Sequence, residues 1–252
     1  MRIGFDLDGT VADMHEALAR EALRLFPGVD VSSVPNSTDP TDKGDRGSDA
    51  GPEVRLSTSG LSSSQMKAVW SAACARSNFW ESLPEIEPGA LARLYTVATA
   101  RKWEVIFITS RPESAGDTAQ TQSHRWLSKM GFRTPSVFVC HGSRGKIASA
   151  LALDVFVDDR PENCLDIAID SQARAILVWR GDEGKVPGSA RQLGIGSVSS
   201  INQCLDILER LAEGTDEQGS IVSRLKSLLG LKSKSTRPDH PRRTVAASFS
   251  RG

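Results

Sequence analysis

Polar residues follow four short apolar segments of the sequence, at the points where buried strands would end. Asp6 and Asp8 follow the first segment, Thr109-Ser110-Arg111 the second, Lys146 comes after the third, and Asp158-Asp159 end the fourth. Parallel strands present their carboxyl ends at one edge of a sheet, so these side chains are expected to converge there. Clustered aspartates supply the oxygen ligands that Mg²⁺ prefers, and they predict a magnesium site.

The same residues have the chemistry that phosphoryl transfer requires. A carboxylate such as Asp6 can attack phosphorus and form an aspartyl-phosphate. Asp8, two residues further on, is placed to protonate the leaving oxygen and then to deprotonate the attacking water. Thr109 can donate a hydrogen bond to a phosphoryl oxygen, and Lys146 can neutralise charge that develops in the transition state. Gly9 allows backbone N–H groups to approach the phosphate closely.

Apolar segments that alternate with helical patterns predict an α/β fold. Predicted strands cover residues 2–7, 104–109, 136–140, 155–157 and 175–179, and predicted helices cover residues 14–25, 90–100, 119–130, 146–151 and 201–211. Strands separated by helices favour a mostly parallel sheet with helices on both faces. The sheet would bring the polar residues described above to one edge.

Changes in composition predict the domain organisation. Residues 1–13 and 89–212 form the predicted core, and residues 14–88 form a mainly helical cap inserted after the first strand. Residues 30–66 of this cap are rich in Ser, Asp, Gly, Thr and Pro and lack aromatic residues, so they are predicted to be flexible. Residues 213–252 form a basic, partly disordered tail, in which an apolar stripe at 221–229 predicts a short amphipathic helix.

Composition limits the classes of partner. The chain has 31 basic and 31 acidic side chains, so no overall charge attracts it to nucleic acid or to a membrane. Neither a secretory leader nor a membrane-spanning segment is expected, and the four scattered cysteines suit a reducing compartment, which predicts a cytoplasmic protein. Residues 221–252 carry eight Arg or Lys against Asp239, a charge near +7. They offer a contact for a partner or a membrane surface, although packing of the stripe on its own domain is the favoured alternative.

Four motifs, in order, resemble those of haloacid dehalogenase (HAD) superfamily phosphatases: Asp6-Leu7-Asp8-Gly9-Thr10, Thr109, Lys146 and Asp158-Asp159. Within that superfamily the chain is most similar to the 5'(3')-deoxyribonucleotidases, on the segments DLDGTVAD at 6–13, NFWESLPEIEPGA at 78–90 and VDDRPE at 157–162. The resemblance implies a HAD-like Rossmannoid core with a cap. It also implies Mg²⁺ held by the Asp6 carboxylate, the Asp8 backbone carbonyl and either Asp158 or Asp159.

The resemblance implies a small phosphorylated substrate, namely a (deoxy)nucleoside monophosphate. Gly9, Thr10 and Ser110 are candidates for contacts with the phosphate. The nucleotidases stack the base on aromatic residues of the cap, and Phe79 and Trp80 are the candidates here, with core packing as an equal alternative. Arg111 is a candidate for contact with a second anionic group of the substrate, or for a salt bridge at the surface.

Several other functions share parts of these motifs. A sugar-phosphate phosphatase, a phosphotransferase or a mutase would need the same residues, and a regulatory protein without enzymatic activity would act through the basic tail. A phosphatase of nucleic-acid ends is a minor option because the chain is neutral and lacks a basic, aromatic groove. A dehalogenase is disfavoured because that reaction has no use for an acid at Asp8. The oligomeric state is left open, with a homodimer as one option.

Overall fold

The computed structural model describes residues 1–31 and 61–213. Most of the segment predicted to be flexible, residues 30–66, therefore lies outside the described residues. The same is true of the basic tail from residue 214 on, together with its amphipathic stripe. The predictions for these two segments stay predictions.

The strands of the described residues form one parallel sheet of six, in the order β3-β2-β1-β4-β5-β6. The strands are β1 (Arg2–Asp6), β2 (Glu104–Thr109), β3 (Ser136–Val139), β4 (Val155–Asp158), β5 (Arg174–Val178) and β6 (Gly196–Val198). β1 lies between β2 and β4, so the chain segments that follow these three strands meet at one edge of the sheet. The predicted α/β class with a mostly parallel sheet is confirmed.

Helices connect the strands. They are α1 (Met14–Leu25), α2 (Ser63–Ala75), α3 (Ala90–Arg101), α4 (Ala119–Lys129), α5 (Arg144–Ala150), α6 (Pro161–Asp170), α7 (Gly188–Gln192) and α8 (Ile201–Glu213), with 3₁₀ turns at Phe79–Ser82 and Glu183–Lys185. The sequence patterns do not predict α6, α7 or β6. α6 buries only Cys164 and Ile167, and β6 has three residues, so neither repeats its pattern long enough to be recognised.

Alternate strand residues enter two hydrophobic clusters. In β4, Val155 and Val157 belong to one cluster and Phe156 to the other, and in β5 Ile176 and Leu177 divide in the same way. Successive side chains of a strand point to opposite faces, so the two clusters lie on opposite faces of the sheet. α8 contributes buried residues to the first cluster and α6 to the second. Helices therefore cover both faces, as predicted.

Two segments that flank residues 14–83 run side by side. The backbone N–H of Asp13 donates to the carbonyl of Pro84 at 2.9 Å, and the N–H of Ile86 donates to the carbonyl of Val11 at 3.0 Å. We call residues 11–13 and 84–86 the linker ribbon. α1 packs against α2, which begins at a capping box formed by Ser62 and Gln65. The chain thus leaves the sheet and returns to it at adjacent points.

Candidate active site

Three carboxylates converge at the carboxyl edge of the sheet. Asp6 ends β1, Asp158 ends the neighbouring strand β4, and Asp159 follows directly. One carboxylate oxygen of each lies within 4.8 Å of the others. Asp6 and Asp158 are buried. The order of the strands thus joins residues that are about 150 positions apart in the sequence.

The two adjacent aspartates are oriented by different neighbours. The Asn163 amide donates to both carboxylate oxygens of Asp158, at 2.9 and 3.2 Å, and the backbone N–H of Arg160 donates to Oδ1 at 2.8 Å. The Thr10 hydroxyl donates to Asp159 Oδ1 at 2.9 Å. Both carboxylates are therefore fixed next to Asp6, and both remain candidates as metal ligands.

Gly9 and Thr10 support Asp159. Gly9 has φ of 89°, in the region that favours glycine, and a Cβ atom at this position would lie 2.3 Å from Asp159 Oδ2. Thr10 is fully buried, and its hydroxyl also accepts a hydrogen bond from the backbone N–H of Asp159 at 3.1 Å. Neither residue is among the described residues that line the cavity at this edge, so their observed role is to shape the acidic cluster.

Asp8 is held by an arginine and lies outside the three-carboxylate cluster. Arg111 donates to its carboxylate three times, from Nε at 2.8 and 3.1 Å and from Nη2 at 2.7 Å. The Thr109 hydroxyl donates to Asp8 Oδ2 at 3.2 Å. A metal contact of Asp8 through its backbone carbonyl, which the resemblance implies, stays a prediction. The side chain itself is oriented by Arg111 and Thr109.

Arg111 is buried and holds Asp8, so it is not the surface salt bridge that was one of the two roles considered for it from the sequence. It is 2% exposed, and its guanidinium carbon lies 5.0 Å from the centre of the Trp80 ring and 5.7 Å from that of Trp126. Nη1 donates to the Ser123 hydroxyl at 2.9 Å. These groups and Asp8 surround the guanidinium, so its observed role is structural. Arg111 also lines the cavity at this edge, and its contact with a substrate stays a prediction.

The cation beside Asp6 is Arg144, and the structure does not place Lys146 there. Arg144 Nη2 lies 3.4 Å from Asp6 Oδ1 and 3.4 Å from the Ser110 hydroxyl, and the residue is buried. Lys146 is exposed on α5. Ser143 caps this helix by accepting from the backbone N–H of Lys146, so Arg144 is the first helical residue. The capping serine was the available signal that the helix begins before Lys146.

Burial raises the pKa of all three clustered carboxyl groups, and repulsion from neighbouring carboxylates adds to it for Asp6 and Asp159. Burial is the largest cause for Asp6, with further contributions from Asp158 and an opposing one from Arg144. Burial also raises the pKa of Asp158, against the opposing charge of Arg144. For Asp159, burial and the charge of Asp158 raise the pKa to about 7. A divalent cation would offset this repulsion, and carboxylate oxygens are ligands that Mg²⁺ prefers, so the residues fit a magnesium ion.

A small cavity of about 40 Å³ opens above Asp6 and Asp8. Its lining also includes Thr109, Ser110, Arg111 and Arg144 on the sheet side, and Met14, Trp70, Trp80, Pro112, Arg160 and Asn163 around them. The Trp70 and Trp80 rings lie 6.4 Å apart, and Trp70 Nε1 is buried without a hydrogen-bond partner among the described residues. Phe79, 1% exposed, does not line the cavity and packs edge-on against Trp80. Trp70, Arg160 and Asn163 were not predicted as site residues, because Trp70 lies in the apolar pattern of α2 and the other two lie at the start of α6, a helix that the sequence patterns do not predict.

Replacing Arg111 with Met is expected to lower the free energy of unfolding by about 3–5 kcal/mol, because it leaves the partly buried Asp8 carboxylate without its partner. Any phosphatase activity should fall with it, since Asp8 loses its orientation. Urea denaturation would measure the first effect. Arg125→Met is the control, because this arginine pairs with the carboxylates of Asp117 and Glu81 at the surface, and its loss should cost less than about 1 kcal/mol. Equal losses in the two variants would contradict a special role for Arg111.

The fold and the clustered aspartates define an α/β protein with a HAD-like Rossmannoid core. Among solved structures, a HAD family hydrolase from Deinococcus radiodurans R1 with bound phosphate and sodium matches 84% of this chain and 96% of its own, with 13% identity and a TM-score of 0.50. A hydrolase from Pseudomonas syringae matches 83% of this chain and 99% of its own, with 13% identity and a TM-score of 0.46. The first of these likenesses shows the fold.

Comparison of sequences adds no family. No protein-family model matches the chain, and no curated protein sequence matches it significantly. The resemblance to the deoxyribonucleotidases therefore stays a prediction from the motifs. Across residues 1–31 and 61–213, no helix combines the length and the apolar character that are needed to cross a bilayer.

Proposed function

We propose that this chain is a magnesium-dependent phosphomonoester hydrolase with Asp6 as its nucleophile. The observation that carries the proposal is the cluster of Asp6, Asp158 and Asp159 with Arg144 in contact with Asp6, at the carboxyl edge of a parallel sheet. Ligands of open parallel sheets collect at this edge. The Deinococcus protein, which shares the fold, is described with bound phosphate and sodium. A phosphate group in this cavity would lie against Asp6 and a guanidinium.

In the first step, a carboxylate oxygen of Asp6 attacks phosphorus, and the bond from phosphorus to the ester oxygen breaks. Asp8 gives a proton to the departing oxygen. Arg144, which contacts Asp6, stabilises negative charge on the phosphoryl oxygens. Bound Mg²⁺, held by Asp6, Asp158 and Asp159, would supply positive charge that neutralises the phosphoryl group. The products of the step are an alcohol and a phosphorylated Asp6.

In the second step, water replaces Asp6 on phosphorus. Asp8, now a base, takes a proton from the water as its oxygen attacks, and the bond between Asp6 and phosphorus breaks. Inorganic phosphate leaves, and both carboxyl groups return to their starting state. The hydrogen bonds from Arg111 and Thr109 hold Asp8 at one position through both steps. One residue therefore acts as acid and then as base.

The lining of the cavity supports an organic leaving group with an aromatic ring. Trp70 and Trp80 both line it, but Trp80 is fully buried with Arg111 over its ring, so Trp70 is the side chain proposed to stack on a substrate ring. The N–H group of Trp70, which has no partner among the described residues, would gain one from an acceptor atom of the leaving group. A nucleoside monophosphate has such a ring and such acceptors. It is the proposed substrate class, and sugar phosphates are the alternative.

A substrate panel tests this function. The purified full chain should release phosphate from at least one member of a set of nucleoside and deoxynucleoside monophosphates and sugar phosphates, in the presence of Mg²⁺. Excess EDTA should abolish release, and added Mg²⁺ should restore it. We expect kcat/KM for the best nucleotide to exceed that for the best sugar phosphate by at least about tenfold, which corresponds to one good stacking contact.

Two outcomes of the panel would count against the proposal. Absence of phosphate release from every compound would favour the regulatory protein that acts through its basic tail. Faster release from sugar phosphates would exclude the nucleotide as substrate while leaving the phosphatase in place. Trp70→Leu separates the substrate classes further, because it should weaken turnover of nucleotides and leave turnover of a small non-aromatic substrate nearly unchanged.

A further inference from the structure

We propose that Arg180 is a positioning residue of this site, which holds the loop after β1 in a fixed relation to Glu87 and, through Glu87, to the start of α8. The inference rests on the proposed function, because it concerns the placement of Asp8. Arg180 lies two residues beyond the end of β5. It is not among the described residues that line the cavity, so its effect on the reaction must pass through the loop.

One guanidinium holds two successive carbonyl groups of that loop. Arg180 Nη1 donates to the carbonyl of Gly9 at 2.7 Å, and Nη2 donates to the carbonyl of Thr10 at 2.8 Å. These two residues lie between Asp8 and the linker ribbon. The loop makes its own hydrogen bonds, from the Gly9 N–H to the Ala12 carbonyl at 2.9 Å and from the Ala12 N–H to the Leu7 carbonyl at 2.8 Å, and Arg180 adds a restraint from outside the loop. A planar guanidinium can make both bonds at once, which restrains the loop in rotation as well as in distance.

The same guanidinium is anchored on the other side by Glu87. Arg180 Nη2 donates to Glu87 Oε1 at 2.9 Å. Glu87 also accepts from the backbone N–H groups of Ile201 at 2.7 Å and Asn202 at 3.1 Å, at the start of α8. Burial alone would raise the pKa of Glu87, but the hydrogen bonds from Ile201, Arg180 and Asn202 outweigh it and lower the pKa. Glu87 is thus a stable anion fixed to a helix.

These contacts connect the residues on either side of the linker ribbon. Gly9 and Thr10 precede the outgoing segment of the ribbon, Glu87 follows its returning segment, and Arg180 bonds to both ends. Movement of the loop would displace Asp8 at one end. It would also disturb the hydrogen bond from Thr10 to Asp159. Arg180 therefore determines where the acid-base residue stands relative to the acidic cluster.

The test compares Arg180→Met with wild type on the best substrate of the panel. We expect kcat to fall about 10- to 100-fold while KM changes less than about threefold, because displacement of a catalytic group by about 1 Å can cost about 10²-fold in rate. Arg180→Lys should recover part of kcat, since an ammonium group can bond to one carbonyl but does not have the planar fork. An arginine with a purely structural role would not produce a fall in kcat at nearly constant KM, nor a partial recovery of kcat in Arg180→Lys.

Arg93→Met is the matched control. Arg93 also bonds to α8, through the Asn202 carbonyl, Asp206 and Glu209, and within the described part of the chain its hydrogen bonds do not reach the loop after β1. Its loss should lower the melting temperature and leave kcat unchanged.

If Arg180→Met lowers the melting temperature in the same way with kcat unchanged, the positioning role is wrong. If Arg180→Met fails to fold, Arg180→Lys and Glu87→Gln decide: a reduced kcat at constant KM supports the role, and an unchanged kcat in both overturns it. An inactive wild type would instead refute the proposed function.

Discussion

Asp6→Asn is expected to reduce phosphate release by at least about 10⁴-fold, because an amide cannot attack phosphorus and the reaction loses its covalent route. Release of inorganic phosphate with time, from the best substrate of the panel at saturating Mg²⁺, measures the effect. Asp117→Asn is the control, since it makes the same chemical change at an exposed carboxylate that pairs with Arg125. It should retain full activity. Substantial turnover by Asp6→Asn would remove Asp6 from the role of nucleophile.

The same variant should keep its fold, and this makes the loss of activity interpretable. Burial and the neighbouring Asp158 raise the pKa of Asp6 in the folded protein. A carboxyl group with a raised pKa binds its proton more tightly when folded, so without metal its contribution to stability falls as pH rises above the unfolded pKa, which is near 4. Asn carries no charge and avoids this penalty. In EDTA at pH 7, Asp6→Asn should therefore melt at the same temperature as wild type or higher, and a large decrease would contradict the repulsion within the cluster.

Arg144→Met is expected to reduce kcat about 10²- to 10³-fold, whereas Lys146→Met should change it less than about twofold. Arg144 is buried with Nη2 3.4 Å from Asp6, and its Nε has no hydrogen-bond partner among the described residues, so the guanidinium retains a free donor in a site that would hold phosphate. Lys146 is exposed. Steady-state kinetics on the two variants give the comparison, with each serving as the control for the other.

The reverse result would reinstate the assignment made from the motif order. If Lys146→Met caused the greater loss, the helix would have to begin in a different place during the reaction. Arg144→Lys adds a further distinction. A lysine at this position keeps the charge and loses the planar donor pair, so intermediate activity would indicate that positive charge near Asp6 matters more than the shape of the group.

The strands and their acidic ends were predictable from local sequence, because each depends on a short buried segment followed by polar residues. β1 and β4 are almost entirely buried, and Asp6 and Asp158 mark their ends directly. Parallel sheets of this kind collect the ends of their strands at one edge, so convergence of the two residues follows from the topology. Thr109, at the end of β2, was located in the same way.

The identity of the partner residues was not predictable, because it depends on contacts between distant segments. Asp8 and Arg111 are 103 residues apart, and their pairing arises only when the segments after β1 and β2 are folded side by side. Trp70 is buried in α2 together with Val69 and Ala73, a pattern that packing alone explains. Arg144 and Lys146 differ by two positions, which on a helix is enough to direct one inward and the other outward.

The linker ribbon has a consequence for how this protein could diversify. Since residues 11–13 and 84–86 are bonded to each other, the distance between the two points where the chain departs and returns is the same whatever length of chain joins them. The entropy cost of a longer connection rises only slowly with its length. The intervening segment could therefore be lengthened, shortened or exchanged, and so admit a different leaving group, without displacing the aspartates that are proposed to act on the phosphate.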